Sequence, residues 1–347
     1  MTTNTMPDPS AESIPDFPME RAAGCPLSPP PQLRRLQAEQ PLMRVRLWDG
    51  STPWVVTRYD VQRALLSDQR CSVDLTRPGF PYMNPAFRES ASAAHRALLE
   101  YVAGQIDNKL AHPGDDLLSE LAARVHDGDP THQQAASMGL LLLGAGHETS
   151  ANMIALSTVA LLEHPDQLAI VRDTDDPKVL ASAVDELLRY LTIIHLGNRR
   201  IALEDIEIGG QTIRAGEGIV IPSNTANWQA DAFPEPDTLD VHRDARRHMA
   251  FGFGIHQCLG QPLARGDLTT TCPSAPHSRY RAEHHHPGHR HGLMTHHEGG
   301  GHIQPESHPS LKRDTSGATL NKSVALNVAD WLNRCAIHAH PPSEEAR

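Results

Sequence analysis

The stretch FGFGIHQCLGQPLAR, Phe251–Arg265, decides the fold. It sets one cysteine, Cys258, among Gly252, Gly254 and Gly260, and it runs directly into a Leu-Ala-Arg segment of helical character. Glycines make backbone turns closed to other residues and let another group approach closely. A helix starting just after Cys258 aims free N–H groups and a positive dipole end at the sulfur, which favours a thiolate.

The other cysteines, Cys25, Cys71, Cys272 and Cys335, are scattered and form no C-x-x-C pair. That spacing excludes the usual zinc sites, argues against a disulfide framework, and fits a reduced cytosol. One thiolate held by backbone donors suits a haem iron, whereas zinc requires more ligands. A formal net charge of −11 argues against non-specific nucleic-acid binding. The polar opening MTTNTMPDPSAES is no signal peptide. The apolar run Met138–Leu162 is long enough to cross a bilayer, but His147, Glu148, Thr149 and Asn152 lie at its middle. A central charge costs about 2.5–3.5 kcal/mol on insertion, so the run reads as a buried helix.

Working outward, residues 1–16 form a Pro-rich, polar lead-in. PPPQLRRLQAEQP predicts a helix with proline at its start. MRVRLW and PWVVTRY, joined by DGST, predict a β-hairpin, and Asp60 is expected to cap the helix VQRALLSD. Thr76–Arg88 reads as loop. Helices follow from about Ala91, over LLSELAARVHDGD, from about His132 to Leu162, and amphipathically from Pro177 to Leu191. ALEDIEIGGQTIRAGEGIVIPSNTANW predicts several short strands with Gly-containing turns. FPEPDTLDVHRDARRH reads as an irregular segment leading into the cysteine loop. The fold class expected is mainly α with small β-sheets.

The pattern F-x-x-G-x-H-x-C-x-G-x-x-L-A-R resembles the haem-binding loop of the cytochrome P450 family, the haem-thiolate monooxygenases. Further motifs follow in that family's order. Glu186 and Arg189 in DELLRY match E-x-x-R, and Arg243 in FPEPDTLDVHR matches the arginine that joins the pair from a Pro-rich meander. The resemblance gives these three a structural role. GAGHETS, Gly144–Ser150, resembles the central-helix signature. There Gly146 would leave room for dioxygen, and Glu148 and Thr149 would relay protons. Arg200 in NRRIAL, or its neighbour Arg199, and His248 in ARRHMAFGFG match basic contacts to the haem propionates. Phe251 would pack beside the thiolate, with Gly252 and Gly260 shaping the cradle around it. The resemblance therefore implies haem b bound through Cys258 and a bacterial, cytoplasmic monomer. It also implies a ferredoxin-type donor with an NAD(P)H-dependent reductase, and a small hydrophobic organic substrate. A second reading of the same residues is a haem-binding protein without turnover, or an inactive product.

The resemblance covers residues 17–268 and departs from the family twice. Between Asn84 and His95 about a hundred residues of the family pattern have no counterpart, including a propionate-contacting helix and two lid helices. After Arg265 the apolar periodicity stops, and nine histidines crowd between His277 and His302. Residues 269–347 thus read as a His/Pro-rich, disordered tail, as a shifted reading frame would produce.

Overall fold

The computed structural model describes residues 14–22, 27–83 and 91–271. Of the first departure, between Asn84 and His95, residues 84–90 lie outside the described residues; after Arg265 the chain stays helical to Thr271, and the rest of the second departure, with the histidine-rich stretch, lies outside them. Among the described residues helices dominate, with one five-stranded and one two-stranded sheet.

Helix α1 (Pro31–Glu39) begins on proline, whose fixed φ and absent N–H suit a first helical position. The expected hairpin forms from β1 (Leu42–Arg44) and β2 (Trp54–Val56), in antiparallel register Leu42↔Val56. Helix α2 (Tyr59–Ser67) follows. Asp60 sits inside its first turn, and Arg58 occupies the capping position, so the expected aspartate cap is not made. Arg58 instead donates to both Asp60 carboxylate oxygens at 3.2 Å.

The helical half follows: α3 (Ala91–Ala111), α4 (Leu117–His126), α5 (His132–Glu163), α6 (Pro165–Asp173) and α7 (Pro177–Leu191). Caps fix where these helices begin. The Asp116 carboxylate accepts from the Ser119 N–H at 2.9 Å, and Thr131 with Gln134 builds a reciprocal capping box at the head of α5. Helix α6 has no counterpart in the sequence expectation, because His164 and Pro165 read only as the end of α5. The chain breaks there and restarts with proline at the first position.

Strands β3 (Cys71–Ser72), β4 (Asn198–Ala202) and β7 (Gly218–Ile221) complete the larger sheet in the order β1-β2-β7-β4-β3. The β2–β7 pair alone is parallel. Strands β5 (Ile206–Ile208) and β6 (Gln211–Ile213) form the small sheet. SNTAN, expected as strand, is the short helix α8 (Ser223–Asn227). Helix α9 (Gln261–Thr271) follows the cysteine loop.

Among the described residues four clusters of buried side chains form, and two of them flank the cysteine loop. In one, Leu156, Ala160 and Leu161 of α5 pack on Val184, Leu187 and Leu191 of α7, with Trp228 and Leu268. In the other, Val56, Ile219 and Ile221 of the sheet pack on Leu65 of α2 and on Met249, just ahead of the cysteine loop. The loop therefore lies where the helical and sheet halves meet. A smaller cluster of Val102, Ile106, Leu121, Ala135 and Ala136 joins α3, α4 and the start of α5.

The expectation of a fully buried α5 is corrected. Leu141, Leu142 and Leu143 are 52–67% exposed, because no described element packs on that face. No helix among the described residues is long and apolar enough to cross a membrane.

Candidate functional site: a thiolate loop between helix and sheet

The cysteine loop is pinned by its own backbone. The Gly252 N–H donates to the Met249 carbonyl at 3.0 Å, the Gln257 N–H to Gly254 at 3.0 Å, and the Cys258 N–H to Phe251 at 2.9 Å. Gly254 opens a short 3₁₀ turn, Gly254–His256, at φ +77°, a region costly for other residues. A Cβ there would meet the Leu66 carbonyl oxygen at 2.4 Å, so only glycine lets the loop lie this close to α2. From the same helix, the Arg63 guanidinium sits 4.0 Å from the Phe253 ring centroid and donates to the Tyr59 hydroxyl at 3.0 Å. The Tyr59 hydroxyl in turn donates to the Arg247 carbonyl at 2.8 Å.

This framework holds up Cys258, a free and exposed thiol three residues ahead of α9. A Cβ at Gly260 would lie 3.8 Å from its sulfur, so the backbone there passes close beneath the thiol. Ile255, Leu259 and Leu263 are strongly exposed around it. The loop thus presents one sulfur in an open apolar rim.

Glu186, Arg189 and Arg243 come together. Arg189 Nε and Nη2 donate to the two Glu186 carboxylate oxygens at 2.7 and 2.8 Å, and both side chains are fully buried. Arg243 Nε reaches the same carboxylate at 3.2 Å, and the Asp240 N–H adds a bond at 3.1 Å. The remaining guanidinium donors go to carbonyls of Asn227, Pro234, Glu235, Pro236 and Thr238. One carboxylate thereby fixes the whole irregular segment that delivers the cysteine loop.

Arg200 lies on β4, 5% exposed, and donates to the Arg199 carbonyl at 2.8 Å. Among the described residues no carboxylate pairs with it, and burial lowers its pKa from the ordinary guanidinium value. Arg199 is similarly desolvated and rests 5.8 Å from the Phe80 ring. Beside Arg200, the Cys71 thiol is buried and pushed up to about 11.

His248 is turned into the protein, 8% exposed. Its Nδ1 accepts from the Ala250 N–H at 3.1 Å, and its Nε2 faces Asp185 Oδ1 at 3.5 Å. Both ring nitrogens are thus engaged, and burial among these groups with Arg189 nearby lowers its pKa to about 4. His256, two residues before the thiol and on the exposed 3₁₀ turn, went unassigned in the sequence reading. The signal was its place in the H-x-C spacing of the motif.

On α5, Glu148 and Thr149 are exposed, and a Cβ on Gly146 would meet nothing within 4 Å. The Thr149 hydroxyl donates to the Ala145 carbonyl at 2.5 Å, the back-bond open to any helical threonine. Helix α9 packs against both α5 and α7, which joins this signature and the loop in one helical layer.

The donor set fits a haem. Among the described residues no three His, Cys, Asp or Glu converge as a chelate, so the site offers a single sulfur. It adds a buried arginine, Arg200, without a carboxylate partner among the described residues, which a propionate would neutralise.

Comparison with known proteins agrees. The Cytochrome P450 family model matches residues 61–274. The chain belongs to the cytochrome P450 family. Members of this family carry haem b with an axial cysteine thiolate. Cytochrome P450 GfsF of Streptomyces halstedii is 43% identical over 361 positions, taking in 74% of this chain and 87% of that protein. The crystal structure of GfsF superposes with a TM-score of 0.70 at 42% identity, covering 75% of this chain and 91% of the other. A relative named 20-oxo-5-O-mycaminosyltylactone 23-monooxygenase, of Streptomyces fradiae, is 34% identical over 71% of this chain and 81% of its own. An alignment of 361 positions that uses 74% of 347 residues leaves about a hundred positions of GfsF without a partner in this P450. The fold is accordingly an incomplete P450 fold.

Proposed function

We propose that this P450 inserts one atom of dioxygen into a small hydrophobic organic molecule, a secondary metabolite or xenobiotic. It would take electrons from a ferredoxin-type donor with an NAD(P)H-dependent reductase, acting as a cytoplasmic monomer. The observation that carries the reading is Cys258, an exposed thiol presented alone by a glycine loop at the head of α9. Relatives support the substrate class: one is named Vitamin D3 dihydroxylase, and another was crystallised with mycinamicin VIII.

Haem, when bound, supplies the redox chemistry that activates dioxygen. The chain's residues divide the remaining work. Cys258 ligates the iron, Phe251 with Gly252 and Gly260 encloses the sulfur, and Arg200 takes a propionate. The imidazole contact expected of His248 is also within the reach of His256, exposed on the turn two residues ahead of the thiol. Gly146 leaves space on α5 for a diatomic molecule. Glu148, open to solvent, would collect a proton, and the Thr149 hydroxyl would pass it on by leaving the Ala145 carbonyl and giving up its own hydrogen as it takes the incoming one. Glu186, Arg189 and Arg243 hold the segment that carries the loop.

A second reading, a haem-binding P450 without turnover, is favoured by the bare leucines Leu141–Leu143, which give a substrate no enclosure among the described residues. The spectrum of the reduced, CO-bound protein tests the ligation, with Cys258→Ala as control. A thiolate-type band that survives the substitution overturns the assignment. Product formation with an added ferredoxin chain then separates the first reading from the second.

A further inference from the structure

Apart from the Glu186 network, a second charged group reaches the cysteine loop from α7. The Asp185 carboxylate, 9% exposed, makes a close ion pair with Nη1 of Arg265 on α9, and His248 Nε2 lies 3.5 Å from the same oxygen. Arg265 Nη2 in turn stands 3.4 Å from His248 Nε2. The Arg265 guanidinium also stacks 5.2 Å from the Phe251 ring centroid, and the His248 ring packs on Phe251 at 5.6 Å. Phe251 is the residue whose carbonyl receives the Cys258 N–H.

Adjacent residues of α7 thus have separate duties. Glu186 looks toward the irregular segment, and Asp185 looks toward α9. We propose that Asp185 is a positioning residue for the thiolate: it clamps Arg265 and His248, 3.4 Å apart, against Phe251, and so sets the carbonyl that orients the Cys258 backbone. Without the carboxylate, Arg265 keeps a buried charge with no partner and swings toward solvent, since over a quarter of its side chain is already exposed. Phe251 then loses its cationic face, and the bond from Cys258 to its carbonyl opens more often. The inference rests on Cys258 being the haem ligand, but the clamp exists in the chain before haem arrives.

Hydrogen exchange on the haem-free full chain tests it. Asp185→Asn should speed exchange of the Cys258 amide by roughly tenfold, with the amides of Leu188–Leu191 on α7 unchanged. Arg265→Gln, on a different helix, should give the same local change, and Asp185→Glu should restore protection. After haem reconstitution, Asp185→Asn should lower the share of reduced CO complex with a thiolate-type band. Unchanged Cys258 exchange in both Asp185→Asn and Arg265→Gln overturns the proposal. So does a loss of protection spread evenly along α7, which would mark Asp185 as a general stabiliser. A Cys258→Ala protein that kept the thiolate-type band would sink the ligation reading while leaving the exchange result standing.

Discussion

Arg243 Nε lies 3.2 Å from Glu186 Oε1, although the two residues are 57 apart in sequence and on different elements. With Arg189 on the other side, one buried carboxylate answers two guanidinium groups. Five backbone carbonyls take up the donors left over, so the network is almost fully hydrogen-bonded. A satisfied group of this kind fixes geometry more than it adds stability.

Removing one member should therefore be severe. Arg189→Ala leaves Glu186 charged and fully buried, at a cost of about 3–5 kcal/mol. Arg243→Ala should cost less, because its side chain is partly exposed. Denaturant unfolding of the three proteins should rank them wild type, Arg243→Ala, Arg189→Ala in falling order of stability. Equal losses would show that the shared carboxylate does not anchor the segment.

The two loop glycines with positive φ make different demands. Gly252 at φ +72° has nothing nearer than 3.9 Å to an added Cβ, so alanine there costs backbone strain alone, about 1–2 kcal/mol. Gly254→Ala adds a clash with the Leu66 carbonyl oxygen and must lift the loop from α2. Haem titration of the purified chains should find Gly254→Ala much the weaker binder. Matching affinities for the two variants would refute the docking of the loop on α2.

Much of this was legible in the sequence because it is local. Motif glycines, the E-x-x-R pair on one helical turn, the Pro-started helices and the hairpin around DGST depend on neighbours in the chain. Their physics travels with the residues. What escaped depends on distant partners. Strand β3 is two residues long and exists only by pairing with β4. His248 turns inward because Asp185 and Arg265, from two other helices, meet it there. The bare face of α5 is likewise unreadable from an apolar run, which states what must be buried and not what is present to bury it.

Stability should fall as solutions are made acidic, partly through His248. Burial, reinforced by Arg189 and opposed by Glu186, holds its pKa near 4, against an ordinary 6.5 in the unfolded chain. The folded state therefore binds fewer protons between these values. The contribution is complete above about pH 6.5 and is lost as pH falls through 4, at up to about 1.4 kcal/mol per pH unit. His248→Gln should flatten the stability profile over that window, read by urea unfolding at a series of pH values. A profile as steep as wild type would mean that His248 is already protonated in the folded protein.

The two described cysteines should respond oppositely to a thiol reagent. Cys71, on the edge strand β3, is buried with its thiol pushed up to about 11, first by desolvation and then by the Asp68 carboxylate. At pH 8 roughly one molecule in a thousand carries that thiolate, before burial restricts access further. Cys258 stands exposed on its loop. Brief alkylation of the haem-free chain at pH 8, followed by peptide mass mapping, should label Cys258 and spare Cys71 until the protein is denatured. Haem should then protect Cys258 in proportion to the amount bound, because ligation and alkylation compete for one sulfur lone pair. If Cys258 were labelled at the same rate with and without haem, the iron would have to be held elsewhere in the chain.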